Sequence, residues 1–167
     1  MKKIIIREPT QEDSEKFITA VLQSSSLHFP WVSPPSTPEE YNLFLSKYSE
    51  ASSVSFLVLH RNDIAGVINL NEIIHGAFQN AYLGFYAMVD YVGTGVLREG
   101  MIKVVDYAFK KMNLHRLEAN IQPGNIRSIR FVEKLNFHIE GFSKKYLFIN
   151  GKWRDHMRYA IIADKWS

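Results

Sequence analysis

The stretch Asp90-Tyr91-Val92-Gly93-Thr94-Gly95-Val96 joins a predicted strand to a long amphipathic helix. Residues 80–89, just before it, are rich in aromatic and apolar side chains and predict the strand. After it, apolar residues recur at helical spacing on one face, namely Leu97, Met101, Val104, Val105, Ala108, Phe109 and Met112. A second strand is predicted over residues 114–122. A strand–helix–strand unit of this kind predicts two parallel strands in one sheet.

The same stretch predicts a site for an anionic ligand. The first N–H groups of a helix have no partner inside the helix, and the helix dipole adds partial positive charge there. Gly93 and Gly95 would let backbone approach a pyrophosphate without a Cβ in the way. A glycine turn that binds nothing is the alternative. A P-loop is excluded because no Gly-Lys-Ser/Thr follows. A dinucleotide-binding fingerprint would need a third glycine at the position of Arg98, although Glu118 does lie where that fingerprint has an acidic residue.

The rest of the chain predicts helices and strands on both sides of this unit. The predicted order of elements is β-α-α-β-β-β-α-β-α-β-β. The segments outside the central unit are a strand at residues 2–7, a helix after Thr10 with Phe17, Ile18, Val21 and Leu22 inward, a proline-rich loop at 29–36, a helix after Thr37, strands at 54–60 and 64–71, a helix at 125–135, and two strands joined at Asn150-Gly151. We therefore expect an α/β (mixed α+β) fold, with one domain over residues 1–167 and a central mixed β-sheet flanked by helices on both faces.

Composition is that of an ordinary soluble globular domain. Hydrophobic residues make up 46% of the 167 residues, enough to bury one core. The absence of cysteine excludes disulfides and a cysteine nucleophile, and the six histidines are scattered, so we expect no metal site. A formal charge of +3 falls short of a nucleic-acid binder. Apolar runs are too short for a membrane span or a signal-peptide core, so we expect a cytoplasmic protein with no membrane partner.

Several motifs in the second half of the chain resemble those of the GNAT N-acetyltransferase superfamily. They are residues 114–120 (Leu-His-Arg-Leu-Glu-Ala-Asn), 123–128 (Pro-Gly-Asn-Ile-Arg-Ser), 133–137 (Glu-Lys-Leu-Asn-Phe) and 140–142 (Glu-Gly-Phe). The closing run at 146–156 (Tyr-Leu-Phe-Ile-Asn-Gly-Lys-Trp-Arg-Asp-His) resembles one branch, the ribosomal-protein alanine acetyltransferases of the RimJ/RimL type. With Tyr-Leu-Gly-Phe at 82–85 and the glycine loop, the resemblance extends from residue 64 to the C-terminus.

The resemblance implies a splayed sheet in which acetyl-CoA lies between the strand ending at Val89 and the strand after the helix. Its pyrophosphate would rest on the loop of Val92, Gly93, Thr94, Gly95, Val96 and Leu97. The backbone of Ala87, Met88 and Val89 would bind the pantetheine arm and polarise the thioester carbonyl. Asn125 matches a family asparagine that contacts CoA. Ser128 matches the serine that acts as general acid in the RimL-type branch, and it belongs to the cofactor site as well.

Some positions depart from the family pattern. The loop has Val92 where Gln or Arg is usual and Leu97 where Gly or Ala is usual, but backbone N–H groups make most of the phosphate contact. Many relatives have a tyrosine general acid where this chain has Val132. The RimL-type branch has a candidate glutamate base where this chain has Tyr82, which leaves the base unassigned.

Residues outside these motifs supply candidates for the base and the acceptor groove. His156, next to Asp155, is either an oriented base or a histidine bonded to neighbours in a strand. Weaker candidates, which a surface role explains as well, are Glu72 and Glu99. Phe29 and Trp31 are expected either to wall the acceptor groove or to pack against the core.

The acceptor is expected to be an N-terminal α-amine. Its pKa of about 7.7–8.0, against about 10.4 for lysine, leaves an appreciable fraction neutral at neutral pH without a strong base. We expect a protein or peptide N-terminus as partner, with a ribosomal protein as the type acceptor, and a monomer or homodimer. The alternatives are transfer to a polyamine or aminoglycoside, and a ribosome- or RNA-associated CoA-binding module without catalysis. The basic residues that motivate the last are Arg127, Arg130, Lys134, Lys144 and Lys145.

Overall fold

Strands of largely apolar residues form one sheet in the computed structural model, which describes residues 3–166. The strands are β1 (Ile4–Arg7), β2 (Val54–His60), β3 (Asp63–Ile74), β4 (Asn80–Ala87), β5 (Arg116–Ile121), β6 (His138–Ile149) and β7 (Lys152–Ile162). Their order across the sheet is β1-β2-β3-β4-β5-β7-β6, and within the described residues β4–β5 is the one parallel pair. The helices are α1 (Ser14–Gln23), α2 (Ser25–His28), α3 (Pro38–Lys47), α4 (Val96–Lys110) and α5 (Ile126–Glu133). No helix in the described part of the chain is long and apolar enough to cross a membrane.

The predicted mixed sheet with helices on both faces is confirmed, with corrections near the N-terminus. The short helix α2 was not expected from the sequence. Leu22 was predicted to point inward, but it is 57% exposed. At 3.6 residues per turn Leu22 lies about 140° around α1 from the buried Phe17, whereas Val21 lies about 40° away and is buried. Lys2, the predicted first strand residue, lies outside the described residues.

Two apolar layers cover the two faces of the sheet. On one face α4 and α5 pack against the strands, and Met101, Val104 and Leu117 there are fully buried. On the other face α1 and α3 pack, with Phe17 and Tyr41 fully buried. The strand residues of this second layer all come from β2, β3 and β4. Within the described residues, the same face of β5 and β7 is therefore free of that helical cover.

The parallel strands β4 and β5 part before they end. Their pairing begins at Asn80 with Arg116 and stops at Leu83 with Ala119. Beyond that point β4 continues to Ala87 and β5 to Ile121 without pairing to each other. The sheet is thus splayed at its centre, as the resemblance implied, and a gap opens between two strand ends.

Helix α4 packs very closely on β2 because Gly100 has no side chain. A Cβ at this position would lie 2.6 Å from both γ-carbons of Val58, which is itself fully buried. Val58 sits in the middle of β2 and is paired on both sides, with Ile6 and Gly66. Neither partner can move away easily, so this contact sets the distance from α4 to the sheet. It thereby also helps to place the loop at the start of α4.

Replacing Gly100 with alanine is expected to lower the free energy of unfolding by about 1–3 kcal/mol, because the added methyl group overpacks the core. The higher helix propensity of alanine stabilises the helix by less than this overpacking costs. Urea unfolding measures the change. Gly84→Ala is the matched control, because its Cβ would meet nothing closer than Asn71 Nδ2 at 3.5 Å. Equal stability of the two variants would contradict the packing argument.

Candidate active site

A cleft of about 1210 Å³ opens where β4 and β5 part. Its walls come from α2 and the proline-rich loop after it, the ends of β4 and β5, the start of α5, and the hairpin β6–β7. It brings together four of the predicted site residues, namely Val89, Val92, Asn125 and Ser128. The predicted site residues that do not line it are Ala87, Met88, Gly93, Thr94, Gly95, Val96 and Leu97. These lie on the same continuous segment of backbone that borders the cleft.

The glycine loop presents backbone N–H groups at the start of α4. Gly93 and Gly95 have positive φ angles of 74° and 83°, and an added Cβ at either would meet no atom within 4 Å. The first hydrogen bond of the helix runs from Glu99 N–H to the Gly95 carbonyl, at 3.1 Å. Among residues 3–166, the N–H groups of Gly93, Gly95 and Leu97 make no hydrogen bond. The side chains of Val96 and Leu97 are buried, and the Thr94 hydroxyl already donates to the Tyr91 carbonyl at 2.7 Å, so the free donors of this loop are its backbone N–H groups.

At the end of β4, every second residue directs its backbone N–H and C=O groups into the gap. The N–H of Met88 donates to the Ala65 carbonyl on the β3 side, at 2.9 Å. Because strand residues alternate in direction, the backbone groups of Phe85 and Ala87 point the other way, into the gap. Of the three predicted backbone contacts, Ala87 therefore faces the gap and Met88 does not. Phe85 was not identified from the sequence, because the register of β4 with β3 decides which residues direct their backbone groups into the gap.

The N–H of Val89 is already used, since it donates to Ser24 Oγ at 2.9 Å. Ser24 also donates from Oγ to the Ala20 carbonyl at 2.7 Å and is fully buried. The third predicted backbone group is therefore tied to the end of α1. These bonds hold the chain in place where it leaves β4, and they leave the side chain of Val89 at the cleft.

The first turn of α5 places a hydroxyl group in the cleft. Asn125 is the N-cap, and its Oδ1 accepts a hydrogen bond from Ser128 N–H at 3.3 Å. Ser128 is half-buried and lines the cleft next to Asn125. The partial positive charge at this helix end favours an anion beside the hydroxyl. The capping role of Asn125 is satisfied within the protein, and its side-chain amide remains at the cleft wall.

A buried histidine, which sequence reasoning treated only as one of six, supports the end of β4. His28 is 4% exposed, and its Nε2–H donates to the Ala87 carbonyl at 2.8 Å. Its ring packs edge-on against Tyr86, with 5.1 Å between the ring centroids. Burial lowers the pKa of His28 below the ordinary value, so the ring is neutral at neutral pH. The signal for this role is absent from local sequence, because α2 and β4 are 59 residues apart.

A second buried histidine lines the opposite wall. His156 is 3% exposed, and its Nδ1 lies 2.9 Å from the Arg154 carbonyl. A carbonyl can only accept, so Nδ1 carries a proton, and Nε2 is the ring nitrogen left to take part in proton transfer. The idea that Asp155 orients this histidine is wrong, because neighbouring strand residues point to opposite faces. Asp155 instead accepts a hydrogen bond from Lys145 N–H at 2.8 Å.

The acceptor side of the cleft is mostly apolar and carries few charges. Phe29 and Trp31 both line it, and Trp31 lies so close to Gly124 that an added Cβ there would be 3.1 Å from the indole. Among the described residues that line the cleft, Glu72 is the one carboxylate and Arg127 the one basic side chain other than histidine. Glu99 lies on the exposed side of α4, away from the cleft. The described lining thus carries one charged side chain of each sign, apart from the histidines.

Comparison with known proteins gives relatives that are acetyltransferases by name. The chain is 42% identical over 99 residues to the probable N-acetyltransferase YjcK of Bacillus subtilis, covering 59% of this chain and 55% of that protein. It is 34% identical over 105 residues to the [ribosomal protein uS5]-alanine N-acetyltransferase of Escherichia coli, covering 63% and 54%. The matches thus span about half the length of these relatives. The spermidine N(1)-acetyltransferase of Escherichia coli is also similar, at 24% identity over 160 residues, covering 95% and 86%.

A solved structure matches the whole fold, and one protein family matches most of the chain. The structure of the ribosomal-protein-S5-alanine acetyltransferase from Vibrio fischeri superposes with a TM-score of 0.86 at 26% identity, covering 100% of this chain and 97% of that one. The family described as acetyltransferase (GNAT) domain matches residues 3–138. This match includes the splayed strands, the glycine loop and the start of α5. The chain belongs to the GNAT acetyltransferase family.

Proposed function

We propose that this protein is an N-acetyltransferase that transfers the acetyl group of acetyl-CoA to the N-terminal α-amine of a protein or peptide. The observation that carries the proposal is the gap between β4 and β5. Backbone donors without a partner lie along its β4 side and in the loop at the start of α4, and the Ser128 hydroxyl in the first turn of α5 lines the same cleft. A ribosomal protein is the type acceptor, supported by the relatives whose names state that activity.

The residues of the cleft fit acetyl-CoA in two places. A pyrophosphate needs several N–H donors, and the loop at Gly93, Gly95 and Leu97 has N–H groups without an internal partner. The pantetheine arm carries amides, and an extended chain of amides can pair with a strand that lacks a neighbour. The backbone groups of Phe85 and the N–H of Ala87 supply that strand edge, since the Ala87 carbonyl already accepts from His28. Acetyl-CoA brings an acetyl group activated as a thioester.

The chemistry requires a neutral amine, stabilisation of charge on the carbonyl oxygen, and a proton for the departing sulfur. The amine nitrogen bonds to the thioester carbonyl carbon, and the carbon–sulfur bond breaks. The backbone N–H of Ala87, which faces the gap, is the donor placed to polarise the carbonyl oxygen. Ser128 Oγ–H gives a proton to the departing sulfur and regains one from water, at the helix end whose dipole favours negative charge. His156 Nε2 takes the proton from the amine, directly or through water.

The charge of the cleft favours a peptide over a polyamine. A polyamine carries several positive charges, which a selective site would match with several carboxylates. The described lining offers Glu72 alone, together with the opposing charge of Arg127. A peptide N-terminus presents one amine, followed by a backbone and side chains that apolar walls can contact. Phe29, Trp31 and Leu147 form such walls. Spermidine transfer is the second candidate, and the similarity to a spermidine acetyltransferase supports it.

A thiol-release assay tests the acceptor directly, and the chain has no cysteine to add background. We expect CoA release with a short peptide that begins with alanine. With spermidine we expect kcat/KM to be at least about tenfold lower, because a single carboxylate gives a polycation little additional binding energy. The same peptide with a blocked N-terminus and an internal lysine is the control and should give no release. Preference for spermidine would reverse the assignment of the acceptor.

Replacing Ser128 with alanine is expected to lower kcat by roughly 10- to 100-fold. The loss lies at the low end for a general acid because a thiol with a pKa near 8.5 leaves readily. The dissociation constant of acetyl-CoA, measured by calorimetry, should change less than about twofold, because loop and strand contacts hold the cofactor. Ser128→Thr keeps the hydroxyl and should recover most of the turnover. Unchanged turnover in the alanine variant would remove Ser128 from the mechanism.

Replacing Gly95 with valine is expected to weaken acetyl-CoA binding by at least about tenfold, because a β-branched residue is strained at a φ of 83° and the loop must rearrange. Calorimetry and thermal unfolding are the measurements. Gly76→Val is the matched control, since Gly76 also has a positive φ, 76°, with open space around it, but lies in the turn between β3 and β4. Both variants should lose similar stability, and only Gly95→Val should lose affinity. Equal affinity would show that the loop is merely a turn.

A further inference from the structure

The tip of the hairpin β6–β7 is bonded to a loop from the opposite end of the chain. Asn150 forms the two-residue turn with Gly151 and has a φ of 49°. Its Nδ2–H donates to the Pro30 carbonyl at 2.8 Å, and its Oδ1 accepts from Ser33 Oγ–H at 2.7 Å. Both side-chain groups of Asn150 are thus used on partners more than a hundred residues away. A hairpin turn needs only the positive φ of asparagine, so these bonds are additional to the turn.

The two bonds join two segments that form walls of the acceptor cleft. From the loop, Phe29, Trp31 and Val32 line the cleft, and from the hairpin Leu147 and Ile149 do so. We call the pair of bonds made by Asn150 the clasp. It connects the two walls at a point adjacent to these lining residues. The distance between the walls at that point is therefore fixed by the clasp.

The hairpin would be free to bend without the clasp. Strand β6 lies at the edge of the sheet and has a neighbour on one side only, β7. Its pairing with β7 is irregular between Ser143 and Leu147, where Lys145 has a positive φ of 47°. The tip thus extends beyond an irregular stretch of an edge strand, where sheet hydrogen bonds restrain it least. The partner loop contains a run of prolines and cannot be stiffened by strand pairing.

We propose that Asn150 is a positioning residue that holds two walls of the acceptor cleft together and so determines how well a peptide N-terminus binds. The inference rests on the proposed function and adds the residue that determines acceptor fit. The acetyl-CoA loop and Ser128 belong to other segments, the starts of α4 and α5. Loss of the clasp should therefore affect acceptor binding and leave cofactor binding and the chemical step intact.

Steady-state kinetics of Asn150→Gly test this role, because glycine keeps the positive-φ turn and removes only the side chain. We expect the KM for an alanine-initiated peptide to rise about fivefold, which corresponds to the loss of two exposed hydrogen bonds. The kcat and the acetyl-CoA dissociation constant should stay within about twofold of the unmodified protein. Asn150→Asp keeps an acceptor for Ser33 and loses the donor to Pro30, so its KM should be intermediate.

The matched control is Asn62→Gly. Asn62 also has a positive φ, 69°, in the two-residue turn between β2 and β3, and among the described residues its side chain makes no hydrogen bond. It does not line the cleft. This variant should leave the KM for the peptide unchanged. If Asn150→Gly also leaves the KM unchanged, or lowers kcat as much as it raises KM, the positioning role is wrong.

Hydrogen exchange separates the clasp from the proposed function. In Asn150→Gly and in Ser33→Ala, amides of residues 29–36 and 145–155 should exchange faster, and the double variant should add little to Asn150→Gly, because both remove the same link. If the unmodified protein acetylates no peptide but this exchange pattern is present, the clasp is supported and the proposed acceptor is wrong. If exchange in these segments is the same in all variants, the clasp is overturned whatever the activity.

Discussion

The parting of β4 from β5 is the constraint on which the rest of the molecule depends. Backbone N–H and C=O groups inside a protein need partners, and two adjacent strands that separate leave theirs unpaired. His28 and Ser24 bond to the chain where β4 ends, at the Ala87 carbonyl and the Val89 N–H. These bonds fix the end of β4 beside the gap, and we propose that the amides of acetyl-CoA lie along the separated edge.

The two sides of the cleft are built from different kinds of group. The side that we propose for the cofactor presents backbone donors, for which side-chain identity matters little. This explains how Val92 and Leu97 can stand where the family pattern has other residues, since the side chain of Leu97 is buried in the core. The side that we propose for the acceptor is built from side chains, with Phe29 and Trp31 among them. Changes of sequence there alter the fit of the acceptor without touching the cofactor loop.

Local sequence rules predict those parts of the structure that depend on local forces. The glycine loop, the cap at Asn125 and the hairpin turn at Asn150-Gly151 follow from helix ends and positive φ angles, and the structure has all three. Features that depend on tertiary contacts were missed. To predict that Phe85 and not Met88 faces the gap, one must know the register of β4 with β3. A shift of one residue would reverse the direction of every backbone N–H and C=O group in the strand. The support of Ala87 by His28 joins segments that no periodicity connects.

The irregular stretch of β6 also bears on how the molecule behaves at high concentration. An edge strand with exposed aromatic residues, here Phe142 and Phe148 of β6, is a template for pairing with the edge of another chain. The bulge interrupts that template, because the N–H of Lys145 is turned to the carboxylate of Asp155 and a lysine side chain stands at the break. The irregularity that lets the hairpin bend thus also protects the open edge of the sheet from intermolecular β-aggregation.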